Sequence, residues 1–199
     1  MFIRKLILCS LILLLFCCDN KIDYYTISSF SETNTLNAVI EIPAGTNKKF
    51  EYNKKSKSFE IDKKNGKDRV IEFLPYLGNY GFIPSTFSDP KTGGDGDALD
   101  ILVLAEHTEM GVVMETIPIA MLKLIDNGEI DYKIIAIPSD KTRQIIQSYS
   151  YNALSQDFPE IKTMIETWFL NYNKSDEAQI EGWGTEKEAL EEIYKNAKY

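Results

Sequence analysis

Cysteine and histidine are scarce in this sequence. Its three cysteines all lie within the first eighteen residues, and the chain has one histidine. Downstream of residue 18, the sequence therefore excludes disulfides, thiolate metal sites and a catalytic thiol. Eleven glycines and seven prolines are also too few for a fibrous or low-complexity chain.

Basic residues are outnumbered as well. The chain has 22 Lys and Arg against 30 Asp and Glu, which gives a formal net charge of -8 at pH 7. A nucleic-acid partner needs a cationic surface, so we exclude nucleic acid as a ligand. With 199 residues, of which 44% are hydrophobic, the chain can form one domain with a sizeable buried core.

The N-terminal hydrophobic run is too short to cross a membrane. Arg4 and Lys5 precede an apolar run of about eleven residues, whereas a membrane span needs about twenty. This pattern predicts a signal peptide over residues 1–17. The polar residues 18–36 are then predicted to form a tether, and residues 37–199 the folded domain.

The end of this run resembles a bacterial lipoprotein signal, with Cys18 as the lipid acceptor. The resemblance implies a protein of the bacterial cell envelope that faces the periplasm or the exterior. Its contact with the membrane would be an N-terminal lipid anchor. A cytoplasmic location is the alternative.

The spacing of apolar residues predicts strands first and helices afterwards. The predicted strands are residues 38–42, 49–52, 58–61, 69–73, 99–104, 112–117, 121–125 and 133–137. Short runs bounded by Gly, Asn, Asp and Pro are typical of a small barrel or sandwich. From Ile161 to Tyr172 the apolar residues follow a helical period, and Pro159 suits the first turn of that helix. A second helix is predicted from Thr185, so the fold class is α+β.

Three carboxylates lie within the six residues from Asp95 to Asp100. Asp95, Asp97 and Asp100 repel one another at pH 7 unless a cation joins them, and a bend at Gly96 would bring them around one point. An acidic, solvated turn is the alternative. An EF-hand is excluded because an apolar β run follows where that motif needs a helix.

A second group of charged residues follows an Asn-Gly turn, the strongest short signal for a β-hairpin. A two-residue turn pairs Asp126 with Glu129 and places Asp126, Asp131 and Lys133 on one face. The alternative is a hairpin whose charged face is exposed to solvent and binds no ion. Two such carboxylate groups favour a hard, oxygen-preferring ion such as Mg²⁺.

The segment Asp95-Gly-Asp-Ala-Leu-Asp100 resembles the D-G-D-P-x-D signature of the family I soluble inorganic pyrophosphatases. The match is collinear from Ile40-Glu41-Ile42-Pro43 to Glu181-Gly182-Trp183. It implies a five-stranded OB-like β-barrel with flanking C-terminal α-helices. The implied activity is the hydrolysis of inorganic pyrophosphate to two phosphates with several Mg²⁺ ions, Mn²⁺ being an option. Dimers and hexamers both occur in this family, so a homo-oligomer is implied as well.

The resemblance implies a role for each matching residue. Asp97 would be the base that takes a proton from the attacking water. The metal ligands would be carboxylates, namely Glu41, Asp95, Asp100, Asp126 and Asp131. The phosphoryl oxygens would be bound by cations and hydroxyls, namely Lys49, Arg69, Tyr80, Lys133, Tyr172 and Lys174.

One departure from the family pattern motivates a second hypothesis. Asn173 stands where the family has a phosphate-binding lysine, and Lys174 follows one place later. Together with the export signal, this departure suggests the alternative of a catalytically silent surface lipoprotein. Such a protein would bind phosphate, metal or a partner without hydrolysing pyrophosphate.

Overall fold

A computed structural model describes residues 21–173, 175 and 177–198. The strands in this part of the chain are β1 (Leu36–Ile42), β2 (Phe50–Asn53), β3 (Ser58–Ile61), β4 (Lys63–Lys64), β5 (Lys67–Asp68), β6 (Asn79–Phe82), β7 (Asp100–Val103), β8 (Val113–Asp126), β9 (Glu129–Ile130), β10 (Lys133–Pro138) and β11 (Ala178–Thr185). The α-helices are α1 (Tyr151–Asp157), α2 (Pro159–Asn171) and α3 (Glu186–Asn196).

Five strands close into a ring. β1 pairs with β6, β6 with β7, β7 with β10, β10 with β8, and β8 pairs back with β1. The β7–β10 pairing is parallel and the others are antiparallel, so the sheet is mixed. β9 and β11 extend the sheet from β8, while β2–β3 and β4–β5 form separate two-stranded hairpins. The predicted α+β class is confirmed.

β8 differs from the prediction of two strands. Residues 113–117 and 121–125 belong to one strand of 14 residues that passes through Pro118, and residue 112 precedes it. The β8–β10 register shifts at this point, between Ile135 and Ala136. A bulge tolerates a residue without a backbone N–H, so the proline does not end the strand.

The prediction of a strand over residues 69–73 is wrong, and β6 was not predicted. Residues 71–78 run as an irregular segment through Pro75. β6 has a tyrosine and a glycine in place of alternating apolar residues, so its sequence carries a weak strand signal.

A bulge in β1 places Glu41 between the regular pairs of the β1–β6 ladder. Ile40 pairs with Gly81 and Ile42 with Tyr80, so Glu41 is the extra residue. A Cβ atom on Gly81 would lie 1.9 Å from the carbonyl oxygen of Val39. Glycine therefore permits the close approach of β6 to β1 beside this bulge.

Both predicted C-terminal helices are present. α2 begins at Pro159 and buries Trp168 and Phe169, although Met164 on the predicted stripe is 54% exposed. α3 follows Thr185, which forms a capping box with Glu188. These two signals are local, which explains why the sequence predicts both helices.

Alternate side chains of the ring strands enter two hydrophobic clusters. Leu102 of β7 and Ile135 of β10 pack in one cluster with α1 and α2, whereas Val103 and Ala136 pack in the other with α3. Each strand is thus buried on both sides, and the helices cover the ring from opposite directions.

Part of the predicted tether packs on the domain. Tyr25 stacks on Phe82 with ring centroids 4.5 Å apart, and the ring of Tyr24 lies 5.1 Å from that of Phe59. A short 3-10 helix at Tyr24–Thr26 presents the two tyrosines. Because most residues of this segment are polar, its sequence did not indicate that the two tyrosines pack on the domain.

Candidate active site

An open cleft of about 840 Å³ lies on the ring, between the β2–β3 hairpin, the loop before β7 and the end of α2. Every predicted site residue that the structure describes lines this cleft: Glu41, Lys49, Arg69, Tyr80, Asp95, Asp97, Asp100, Asp126, Asp131, Lys133 and Tyr172. Two further predicted residues, Cys18 and Lys174, lie outside the described residues. A cleft of this volume accommodates a small ligand together with its ions and water.

Asp100 and Lys133 meet because they begin neighbouring parallel strands. They are partners in the β7–β10 register, and Nζ of Lys133 donates to Oδ2 of Asp100 at 2.5 Å and also to Asp131. The hydroxyl of Tyr80 donates to the same oxygen of Asp100 at 2.5 Å. Although burial lowers it, the two carboxylates raise the pKa of Lys133 above its usual value. Lys133 is therefore a buried, positively charged ammonium between the carboxylates of Asp100 and Asp131.

The β8–β9 hairpin brings Asp126 and Asp131 to the cleft. Asp126 pairs with Glu129 around a two-residue turn in which Asn127 has a φ of 49°, as the Asn-Gly signal predicts. Burial raises the pKa of Asp131, with Lys133 opposing this effect. The segment after the hairpin thus presents a buried carboxylate whose charge Lys133 compensates only in part.

The loop before β7 bends at Gly96, which has a φ of 86°. The backbone N–H of Asp97 donates to Oδ1 of Asp95 at 3.0 Å. Burial raises the pKa of Asp95, whereas the carboxylate of Asp97 is 69% exposed and lies 3.6 Å from Nζ of Lys54. The loop therefore holds one carboxylate with a raised pKa and a second one that is exposed and paired with a lysine.

Glu41 projects from the β1 bulge into the same cleft. Its residue is 8% exposed, and its Oε1 accepts a hydrogen bond from the backbone N–H of Tyr52 at 2.6 Å. Burial raises its pKa to about 8, since that hydrogen bond offsets only part of the desolvation cost.

A second wall of the cleft contains cations that are paired with carboxylates. Nη1 of Arg69 donates to Oδ2 of Asp62 at 2.8 Å, and Nζ of Lys49 lies 2.7 Å from Glu51 and 3.9 Å from Asp62. Asp62 was not predicted as a site residue from the sequence. The β2–β3 register, in which Phe50 pairs with Ile61, places Asp62 opposite Lys49, so recognition of this hairpin would have found it.

Aromatic side chains form the third wall. The ring of Tyr76 lies 5.1 Å from that of Tyr80 and 4.6 Å from that of Trp168, on which Tyr172 stacks at 5.1 Å. Burial raises the pKa of Tyr80 well above its usual value, and Asp100 adds to the effect. Its hydroxyl is therefore a neutral donor. Trp168 and Phe169 also line the cleft.

The acidic side of the cleft fits a hard divalent cation. Its candidate ligand atoms are carboxylate oxygens, and burial together with the nearby Asp100 carboxylate raises the pKa values of Asp95 and Glu41. Among the described residues, no three acidic or imidazole side chains already form a compact metal-binding group. Instead, Asp100 and Asp131 both form ion pairs with the ammonium of Lys133.

A cleft lined by carboxylates together with lysine, arginine and tyrosine side chains is typical of a class of enzyme, the hydrolases that act on a small phosphate anion with divalent cations. The sequence model described as inorganic pyrophosphatase matches residues 38–199. The chain therefore belongs to the inorganic pyrophosphatase family, a metal-dependent family.

Individual relatives agree with this assignment. The inorganic pyrophosphatase of Neisseria meningitidis serogroup B is 35% identical over 162 residues, which cover 79% of this chain and 84% of the relative. That of Saccharolobus solfataricus is 37% identical over 165 residues, with coverage of 80% and 88%. The solved inorganic pyrophosphatase of Neisseria gonorrhoeae is 30% identical, with a TM-score of 0.71 over 87% of this chain and 96% of that one.

A second solved structure, the inorganic pyrophosphatase from Thermus thermophilus, has a TM-score of 0.74 at 26% identity. It covers 87% of this chain and 95% of that one. The prediction of an inorganic pyrophosphatase, a hydrolase, is confirmed by these similarities. The alternative of a catalytically silent relative is not favoured.

The comparisons overturn the predicted location. The relatives from Neisseria meningitidis, Saccharolobus solfataricus and Haemophilus influenzae are named simply as inorganic pyrophosphatases. The prediction of a lipid-anchored protein of the cell envelope is therefore wrong. The signal peptide over residues 1–17 lies outside the described residues. Within the described part of the chain, no helix has the length and apolar character needed to cross a bilayer.

Proposed function

We propose that this protein hydrolyses inorganic pyrophosphate to two phosphates with Mg²⁺, in an OB-like barrel domain that spans residues 37–199. One observation carries the proposal: carboxylates, lysine and arginine side chains and tyrosines line one cleft. The family to which the chain belongs supports the choice of substrate.

The charge of the substrate explains the residue types of the cleft. Pyrophosphate carries up to four negative charges, so binding needs fixed positive charge and hydroxyl donors. Lys49 and Arg69 bind the phosphoryl oxygens from the wall they share with Asp62, and Lys133 binds from the floor. Tyr80 and Tyr172 orient the substrate without adding charge. Lys174 is proposed as a further phosphate ligand.

The proposed metal ligands fall into two groups. Asp95, Asp100 and Asp131 hold the tightly bound ions, while Asp126 and Glu41 hold the ions that arrive with the substrate. When bound, Mg²⁺ neutralises the phosphoryl oxygens and makes a nearby water more acidic. Ionisation of Asp131 and Glu41, which burial disfavours, becomes favourable in the presence of this positive charge.

Asp97 is proposed as the base that accepts the proton of the attacking water. Its carboxylate is 69% exposed and is held 3.6 Å from Nζ of Lys54, so it is available at the rim of the cleft. The water oxygen then bonds to one phosphorus as the bridging P–O bond breaks. Lys49 and Arg69 stabilise the negative charge that develops on the leaving phosphate.

Phosphate release from pyrophosphate, measured with and without Mg²⁺, tests the activity. We expect Mg²⁺-dependent release in the wild type and no release with Mg²⁺ omitted. Asp97→Asn should lose about a hundredfold in kcat, the contribution of a general base. It should still bind Mg²⁺ by calorimetry, whereas Asp100→Asn should lose Mg²⁺ affinity.

A matched control is Asp157→Asn, an exposed aspartate at the end of α1. It should retain wild-type kcat and Mg²⁺ affinity. If Asp97→Asn and Asp100→Asn lose Mg²⁺ affinity equally, the separate roles of base and metal ligand are wrong. If the wild type releases no phosphate, the proposed activity is wrong.

A further inference from the structure

The ring of Tyr25 forms part of the wall of the cleft, although Tyr25 precedes the residues that match the family. It stacks on Phe82 with an interplanar angle of 14°, and Nζ of Lys54 lies 3.9 Å from its ring centroid. The ring therefore stacks on Phe82 on one side and forms a cation–π contact with Lys54. Both contacts are made inside the site.

Lys54 links this ring to Asp97. Its Nζ lies 3.6 Å from Oδ1 of Asp97, and the two side chains are 54% and 69% exposed. Within the described part of the chain, Lys54 is the cationic partner of the Asp97 carboxylate. An ion pair this exposed samples many geometries on its own, and the face of an aromatic ring beside the ammonium restricts them.

Tyr25 is suited to a supporting role because its ring stays neutral. Burial raises the pKa of its hydroxyl above the usual value, and the carboxylates of Glu41 and Asp97 add to the effect. The hydroxyl of Tyr25 is therefore protonated at neutral pH, and the ring adds no negative charge beside Asp97. Lys54 is the cation that contacts Asp97 on this side of the cleft.

We propose that Tyr25 and Lys54 are positioning residues: the ring of Tyr25 holds the ammonium of Lys54, and Lys54 holds the carboxylate of Asp97 toward the cleft. This inference rests on the proposed function, in which Asp97 is the base. It assigns a role in the active site to the segment before β1.

Steady-state kinetics of full-length variants test the proposal. Tyr25→Leu removes the ring face and Lys54→Met removes the cation while keeping the apolar stem. Each should lower kcat about two- to fivefold, the effect of losing one cation–ring contact. KM should stay within about twofold, because neither residue is proposed to bind substrate. Tyr25→Phe and Lys54→Arg should recover at least about half of the wild-type kcat.

The double variant Tyr25→Leu/Lys54→Met tests whether the two residues act as one unit. Because the ring acts through the ammonium, the double variant should lose no more kcat than Lys54→Met alone. Multiplied effects would overturn the proposal. Calorimetry with Mg²⁺ alone should give an affinity within about twofold of the wild type for Lys54→Met, since a cation is not a metal ligand. A large loss of Mg²⁺ affinity would also overturn it.

Tyr24→Leu is the matched structural control. Tyr24 lies on the same short helix and packs on Tyr52 and Phe59 instead of Lys54. It should lower the melting temperature and leave kcat at the wild-type value. If Tyr24→Leu lowers kcat as much as Tyr25→Leu, docking of the segment explains both results and the proposal is wrong.

The outcome for Asp97→Asn separates this inference from the proposed function. If Asp97→Asn loses turnover while Lys54→Met and Tyr25→Leu keep it, the inference alone fails. If Asp97→Asn keeps turnover, the role of Asp97 fails and the inference fails with it. A rise in KM with unchanged kcat in Lys54→Met would make Lys54 a substrate ligand and overturn its positioning role. Lys54 is more than half exposed, so this variant folds even if Tyr25→Leu does not.

Discussion

Glu41 should dominate the pH dependence of the metal-free protein between pH 6.5 and about 8. Its folded-state pKa is raised to about 8, so between pH 5 and 8 the native state holds a proton that the unfolded chain has released. The free energy of unfolding should therefore fall as pH rises, by up to about 1.4 kcal/mol per pH unit. Urea denaturation at several pH values in EDTA measures this slope.

Glu41→Gln separates this effect from that of other groups. Glutamine keeps an oxygen that can accept the hydrogen bond from Tyr52 and has no proton to lose. Its free energy of unfolding should be nearly constant from pH 6.5 to 8. An equal slope in the wild type and in Glu41→Gln would show that Glu41 ionises normally in the folded protein.

Among the structural elements, the β1–β6 pairing depends on the small size of Gly81. A Cβ atom there would meet the carbonyl of Val39 at 1.9 Å, and backbone cannot move away as a flexible side chain can. Gly81→Ala should therefore lower the free energy of unfolding by roughly 3 kcal/mol, as overpacking against backbone does. It should also lower kcat, because Glu41 and Tyr80 flank this site.

Gly45→Ala is the control for this substitution. Gly45 has a φ of 80° with open space around its Cβ direction, so alanine there costs only about 1 kcal/mol of backbone strain. Activity should be retained. Chemical denaturation followed by tryptophan fluorescence gives the free energy of unfolding of each variant. Equal losses of this free energy in Gly81→Ala and Gly45→Ala would contradict a packing origin.

Elements with local signals were predictable from the sequence. The Asn127 turn fixes its own hairpin, and the capping residues Thr185 and Glu188 start α3 whatever lies around them. The candidate site residues were predictable for a different reason. Charge clustering in the loop from Asp95 to Asp100 indicated a cation, and the family signature supplied the remaining positions.

Features set by distant contacts were not predictable. Residues 69–73 have the composition of a strand, yet the backbone of Val70 forms only an isolated bridge with Lys48. Tyr25 and Lys54 are separated by 29 positions in the sequence and meet because the segment before β1 folds back on the sheet. No local pattern encodes such an encounter, since it depends on tertiary packing.

At the scale of the whole molecule, Mg²⁺ should stabilise the folded protein. The proposed ligands converge only in the native state, so binding shifts the folding equilibrium by mass action. At about one hundred times the Kd, the gain is roughly 2.7 kcal/mol, or about 5–10 °C in Tm for a domain of this size. Differential scanning fluorimetry with and without Mg²⁺ checks the shift.

Asp100→Asn should show less than half of this rise in Tm, because it removes one proposed ligand and its charge. Asp157→Asn, at an exposed position on α1, should show the full rise. An equal rise in the wild type and in Asp100→Asn would disprove the assignment of Asp100 as a ligand.

The strand order also determines when the chain acquires its site during folding. Glu41 lies on β1 and Asp131 lies just before β10, and the β1–β6, β6–β7 and β7–β10 pairings connect these two strands. Ile40 pairs with Gly81 and Asp100 with Lys133, so each of these contacts closes a loop of more than 30 residues. The loop entropy of the intervening chain opposes such contacts until others exist. Partly folded chains that lack one of these pairings therefore lack the complete site, and the ability to hydrolyse substrate appears only when all three have formed.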